Sequence, residues 1–412
     1  MAVSSIPIGR FRRHLEPLLS GLAIGVREVH RQGLRAILLG LLRLPSPYVS
    51  DIARGLGEEF GPSLDAREHR LVRFLGSPKL RLDRLKAALR RVVAAALPAQ
   101  GRVYLYGDLS DLAKPHARRM QGLDWVKDGS DPGGRIVRGY WLNEVYVELD
   151  PYRVVPVVFE LFSLRSGETL SQTNVLLRGM EEAFQVTGDR GVFVFDRGMD
   201  AGDIFEDLLG KSRDFIIRMQ VGTNSRSLLL DDGRQVTIAT LLKHLALPEM
   251  LYDDAVLRRI GWMGWSRVRL PDHPDRPLTL VVAHMQGHDH PLVLLTTLPV
   301  LHHRVARHIV AVYLRRWNAD EDSIRFVKQG FRLEKYLVAK LRRMKTWVFL
   351  IGAATALLGL LHRPRSVGRQ MARDFPAFKK HVRTWLYRLL RAVSALLLSL
   401  SPKRYRALAC GP

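Results

Sequence analysis

The chain has 412 residues, 47% hydrophobic and 25% charged. That is enough for roughly two or three compact domains, and it excludes a disordered or fibrous protein. Lys and Arg number 64 against 40 Asp and Glu, a net charge of +24, so an anionic partner is expected: nucleic acid, or less well an acidic membrane surface. The single cysteine, Cys410, excludes an intramolecular disulfide and any Cys-based zinc site.

Residues 1–100 read as helical. Apolar residues recur at helical spacing over Leu15–Leu44 and Leu80–Leu97, where Leu82, Leu85 and Leu89 share a face. Ser50, after Pro45 and Pro47, is placed to cap a helix start. Arginines such as Arg12, Arg31, Arg70 and Arg84 decorate both stretches. A helical DNA-binding domain is expected over 1–100.

The texture changes at Gly101. Arg102–Asp108 and Arg153–Leu164 are β-prone, and Gly134–Asp150 holds two β-prone stretches. Thr173–Phe184 has a helical pattern. Gly191–Asp196 is a short apolar run ending in a carboxylate, as a buried strand reads. Asp200–Leu209 follows as helix and Asp214–Met219 as strand. A mixed α/β domain is therefore expected over 101–220 and again over 301–361. Between them, 221–300 reads as a β-rich insertion, with strands at Arg267–Leu270, Leu278–Ala283 and Leu292–Thr297. Helix resumes near His303. Trp347–Leu361 is the longest apolar run, too short for a membrane span, so a buried helix is expected. The segment 362–412 carries twelve Lys/Arg and one acid, Asp374, and reads as a basic helical tail.

Carboxylates at the ends of apolar strands carry the chemical signal. Desolvating them costs free energy unless a cation compensates. Asp108 ends one such strand and Asp196 another, with Asp111 a rival to Asp108. Two strand-end aspartates in so basic a chain suggest a divalent metal with oxygen ligands. A third carboxylate is sought in Tyr313–Gln329, where Glu321, Arg325 and Lys328 fall on one helix face. Lys114, near Asp108 in sequence, is expected either at the site or on the surface. His284, His288 and His290 read as a polar turn in preference to a zinc site.

The three motifs together resemble the DDE transposases of bacterial insertion sequences, within the RNase H-like superfamily. Tyr104–Ser130 looks like the first-aspartate region, and Val192–Asp200 (VFVFDRGMD) like the second with its Arg-Gly. Tyr313–Lys328 looks like the Tyr-Arg-Glu-Lys signature. One departure stands: four residues separate Arg316 from Glu321 where the signature has three. Asp320 would keep that spacing, whereas Glu321 keeps the spacing to Lys328.

The resemblance implies an α/β fold: an RNase H-like mixed-sheet core with a β-rich insertion and a helical N-terminal domain. It implies that Asp108, Asp196 and Glu321 hold two Mg²⁺ ions, for which Mn²⁺ can substitute. Water then cuts double-stranded DNA at terminal inverted repeats, and the freed 3′-OH attacks target DNA, in a cut-and-paste reaction. By the same carry-over Tyr313, Arg316 and Lys328 contact phosphates, Arg325 stands beside them, and Trp262 or Trp265 stacks on a flipped base. A homodimer in the DNA complex and a cytoplasmic, nucleoid-associated place without membrane contact are implied too. A nuclease or resolvase on the same core, and a non-catalytic DNA-binding descendant of a transposase, are the alternatives.

Overall fold

The computed structural model describes residues 8–127, 131, 133–167, 171–222, 225–253, 259–317, 323–336, 338–362, 366–374 and 385–409. In chain order the elements begin with helices α1 (Ile8–Leu22), α2 (Glu28–Arg43), α3 (Val49–Gly55), α4 (Leu64–Gly76) and α5 (Leu82–Ala94). Strands β1 (Val103–Ala113), β2 (Asp124–Lys127), β3 (Ile136–Asp150) and β4 (Arg153–Phe162) follow, then α6 (Gln172–Thr187). Next come β5 (Gly191–Phe195), α7 (Gly202–Gly210), β6 (Asp214–Arg218), β7 (Ser227–Leu229), β8 (Gln235–Thr237) and α8 (Ile238–Leu242). Then come β9 (Glu249–Asp253), β10 (Arg259–Leu270), β11 (His273–Met285), β12 (Leu292–Thr296) and α9 (His303–Trp317). The chain closes with α10 (Arg325–Gly330), α11 (Leu341–Leu361), α12 (Val367–Asp374), α13 (Trp385–Leu398) and α14 (Pro402–Ala409). The fold is mixed α/β with a mixed sheet and N-terminal helices, as expected.

Two compact units divide these elements. One contains 1–98, 109–186 and 318–412; the other contains 99–108 and 187–317. Strand β1 gives its first six residues to the second unit and its last five to the first.

In the first unit α11 is the hub. It packs on β4 and on α1, α2, α4 and α5. Being covered all round, it reads as apolar on every face. Among the described residues it is the one helix long and apolar enough to cross a membrane, and 94% of that stretch is buried, as a core helix is. Two glycines let it lie close on β4: a Cβ at Gly352 would fall 2.8 Å from Phe159, and one at Gly359 2.2 Å from Val155. The N-terminal helices turn regular stripes inward. Phe11, Leu15, Leu19 and Leu22 of α1 are buried, as are Leu85, Ala88, Leu89 and Val93 of α5. Glu16 of α1 and the buried Arg35 of α2 form a two-pronged ion pair, which holds the Glu16 carboxyl below the usual range. Arg35 Nε also donates to Leu408 O of α14 at 2.8 Å, so one guanidinium ties three helices.

Two local expectations are corrected. Ser50 does not cap α3; Tyr48 holds that position without a side-chain cap bond. Ser46 takes over locally, accepting from Tyr48 N at 3.2 Å and donating to Asp51 at 2.6 Å. The two stretches expected in Gly134–Asp150 form one strand, β3, whose pairing with β4 shifts register between Val145 and Tyr146. The shift marks a bulge, which bends one continuous strand without ending it.

In the second unit β1, β5 and β6 run parallel, and β12, β11 and β10 continue the sheet antiparallel, with β7, β8 and β9 on its far side. Helix α9 packs over β5, β9, β10 and β11. The sequence from 221 to 300 is β-rich as expected.

Candidate active site

Strand pairing brings the aspartates to neighbouring strands. Strand β1 pairs with β5 from Val103↔Gly191 to Tyr106↔Val194. Asp108 and Asp196 each lie two residues beyond the last pair; Asp196 follows the end of β5, while Asp108 lies inside β1, which runs on to Ala113 and does not end at Asp108 as expected. Neighbouring strands lie about 4.8 Å apart, and residues level on parallel strands face the same way. Gly107 supports this register independently. A Cβ there would fall 2.3 Å from the ring of Phe195, its level partner. Only glycine lets β1 approach β5 so closely just before the carboxylate.

The row extends one strand more. Strand β5 pairs with β6 from Val192↔Asp214 to Phe195↔Ile217, so Asp196 stands level with Arg218. Asp108, Asp196 and Arg218 thus all lie one or two residues beyond the last paired positions of the three parallel strands. Sequence reading missed Arg218. It needs the β5–β6 register, which no motif in the sequence displays.

Asp196 itself is fixed. Its backbone is extended, and Oδ1 accepts from Gly198 N at 2.8 Å, capping the short turn Arg197–Met199. Asp200 braces the same turn: its carboxylate accepts from Gln220 N at 3.0 Å and from Arg226 Nε at 2.9 Å. Gln220 donates in turn to Arg197 O at 3.3 Å. Beside this brace opens a cleft of about 420 Å³, lined by Arg197, Gly198, Arg218, Gln220 and His290 among others. Its cations and lack of lining carboxylates suit a phosphate.

Helix α9 carries the start of the third motif in the same unit. Tyr313 is buried, 3% exposed, and the Arg316 guanidinium lies 5.9 Å from its ring centroid. Arg315 approaches the Tyr104 ring at 5.7 Å, and the Tyr104 hydroxyl pairs with His308 Nε2 at 2.6 Å. Glu321 and its rival Asp320 lie outside the described residues. On β10, Trp265 is half-buried opposite Val281, whereas Trp262 is 48% exposed opposite His284. His284 Nε2 meets His288 O at 2.9 Å, the polar turn expected there.

Arg325 and Lys328 belong to the first unit. Arg325 opens α10, where its carbonyl accepts from the Tyr387 hydroxyl at 3.4 Å. Lys328 Nζ lies 3.5 Å from Oδ1 of the buried Asp111. This gives Asp111 a charge partner of its own. Lys114 is not on the surface. It is 2% exposed, and Nζ donates to the carbonyls of Leu333, Glu334 and Tyr336 at 2.9, 2.5 and 2.8 Å. Burial pushes its ammonium down to about 7, with the Glu334 carboxylate working against that shift.

Among the described residues no group of three or more His, Cys, Asp or Glu side chains is placed to hold a metal. The described candidate donors are Asp108 and Asp196, two residues beyond the last paired positions of β1 and β5. Two hard oxygen donors held side by side fit a divalent cation such as Mg²⁺, which needs few protein carboxylates.

The family model described as the transposase DDE domain matches residues 156–358, a span that includes Asp196 and the third motif. No curated protein matches the chain. A solved structure similar to it is the cryo-EM structure of the piggyBac transposase synaptic complex with hairpin DNA. That similarity is 11% identity over 95% of this chain and 78% of the other, with a TM-score of 0.48. The match over 156–358 shows that the chain carries a transposase DDE domain and is a DDE-type transposase, an enzyme that transposes DNA.

Proposed function

We propose that this transposase works by cut-and-paste, with Asp108, Asp196 and Glu321 as its catalytic carboxylates. The observation that supports the proposal is the parallel pairing of β1 with β5 up to Tyr106 and Val194, two residues before Asp108 and Asp196. DDE transposases use divalent metal ions, and these three carboxylates would hold two Mg²⁺. Ions so held supply positive charge to the attacking and leaving oxygens of an in-line phosphoryl transfer.

The chain's own residues do the rest. Asp108 and Asp196 are fixed by strand geometry, so little reorganisation is needed when DNA arrives. Arg218 and Arg197, beside Asp196, take a phosphate of the cleaved strand, for which the planar guanidinium is suited. Tyr313, Arg316, Arg325 and Lys328 contact flanking phosphates by analogy with the family signature. The helical N-terminal region, through its arginines, binds the terminal inverted repeats. Pairing two element ends calls for a homodimer.

The experiment uses DNA carrying the gene's own flanking ends, with Mg²⁺ or Mn²⁺, and compares wild type with Asp108→Asn, Asp196→Asn and Glu321→Gln. Wild type should cut and join, and each variant should bind without cutting. Wild type that binds these ends but neither cuts nor joins them with either metal overturns the proposal.

A further inference from the structure

The C-terminal helices leave a cleft that the catalytic reading does not use. Helix α12 turns Val367, Met371 and Ala372 inward. Arg369 and Arg373, four residues apart, share its exposed side. Helix α13 packs against α12 and buries Leu386, Leu389, Leu390 and Val393. Trp385 and Arg388, three residues apart, flank that buried stripe. His362, at the end of α11, stacks on Trp385 with ring centroids 4.3 Å apart and planes at 14°. Trp385 Nε1 is held by Tyr152 O at 3.2 Å, so this wall is fixed.

The open cleft is about 630 Å³ and is lined by Ser366, Arg369, Arg373 and Arg388 together with the His362–Trp385 stack. Among the described residues no carboxylate lines it. Arg388 Nε and His362 Nδ1 are buried without a hydrogen-bond partner among the described residues. Arg388 Nε is a donor, and a buried donor left so costs free energy, which an acceptor entering the cleft would recover. Three guanidinium groups on two helices match a run of phosphate oxygens better than one small anion.

We infer that this cleft is a second DNA contact, gripping the phosphate backbone of duplex DNA through Arg369, Arg373 and Arg388 without reading bases. The inference rests on the chain acting on DNA, not on the carboxylates. The surrounding charge favours it, since residues 362–412 hold twelve Lys/Arg and one acid. A membrane surface fits less well. The large apolar residues of α12 and α13 are turned inward, and Leu398 is the one exposed among those described. An interfacial helix needs an apolar face to insert.

The test titrates full-length protein with a labelled duplex of random sequence, in EDTA, over a range of KCl. Arg369→Gln and Arg388→Gln should each weaken binding several-fold and reduce the slope of log K against log salt by about 0.9, the loss of one phosphate contact. Arg369→Lys should keep the slope. If Arg388→Gln melts early, Arg369→Gln, on an exposed side chain, decides alone. Wild-type affinity and slope in the Gln variants overturn the inference, as does a loss confined to phosphatidylserine vesicles. Wild type that binds DNA but never cuts it sinks the catalytic proposal and leaves this one standing. Normal cutting with unchanged slopes does the reverse.

Discussion

Gly107 and Phe195 stand level on adjacent parallel strands, and the ring occupies the space a Cβ at Gly107 would need, 2.3 Å away. Phe195 is fully buried and stacks on Phe193 at 5.7 Å, so it has nowhere to retreat. Gly107→Ala should therefore push β1 from β5, at a cost of about 1–3 kcal/mol. Asp108 and Asp196 are the next residues on the two strands, so the same shift reaches the site. Thermal unfolding and DNA cleavage should both suffer. A variant that melts and cuts like wild type would show that the strands are not in this register.

Arg218 completes the row begun by the two aspartates. Its cation beside Asp196 fits a bound phosphate, and no hydrophobic packing depends on it: it is half-buried, at the mouth of a cleft. Arg218→Ala should lower cleavage by about 10-fold or more, the loss of roughly 1.4 kcal/mol of transition-state binding. Stability should hardly change, and Arg218→Lys should recover part of the rate. Full activity in Arg218→Ala would remove it from the site.

Lys114 does a different job. Its ammonium holds three carbonyls of the segment after α10, the helix that bears Lys328. Lys114→Met keeps the buried bulk but leaves those carbonyls without their donor, at roughly 1–3 kcal/mol. The unfolding midpoint should fall, and DNA cleavage with it. An unchanged midpoint would mean that the segment is held by packing alone.

The site was legible in sequence where a residue announces itself locally. Asp196 follows the end of β5 as expected, whereas Asp108 falls inside β1, which runs on to Ala113; both carboxylates after apolar runs are visible without a fold. Arg218 is not visible in that way, because its place depends on how β6 registers against β5. Lys114 is still less so. Its partners lie about 220 residues away, in a segment with no matching signal. The same limit explains Ser50. A good capping residue in a good position lost to Ser46, which the turn brings within reach of Tyr48 N and Asp51. The helices of the first 100 residues and the buried Trp347–Leu361 were readable, since their burial patterns are written at helical spacing. The fold of the tail was not: its charge is plain in the sequence, but the pairing of α12 with α13 that shapes a cleft is tertiary.

His362 gives the structure a measurable acid dependence. Burial, reinforced by Arg153 and Arg369 and opposed by Asp150, pushes its imidazole down to about 4 from the ordinary 6.5. The unfolded chain therefore takes up this proton near 6.5, while the folded one refuses it until about 4. Stability from neutral His362 is complete above pH 6.5 and is lost as pH falls toward 4. His362→Phe keeps a ring against Trp385 and removes the titration. Between pH 6.5 and 4 wild type should lose more of its melting temperature than the variant. Parallel losses would show that His362 titrates normally.

Trp262 and Trp265 separate the two roles that an aromatic pair in the insertion can play. Trp262 is 48% exposed on β10, between Met250 of β9 and His284 of β11. Trp265 is half-buried, on the same side of the strand as the fully buried Met263. Exposure leaves the Trp262 face open to a base, whereas Trp265 has part of its surface committed to the sheet. Stacking on a base is worth about 1–3 kcal/mol. Trp262→Ala should therefore slow cutting or joining without moving the unfolding midpoint, and Trp262→Phe should restore much of the rate. Trp265→Ala should instead lower the midpoint, by roughly 1–3 kcal/mol of lost packing. The opposite pattern, with Trp265 sensitive in activity and Trp262 silent, would move the stacking role to Trp265. No activity effect in either would take base stacking out of this strand.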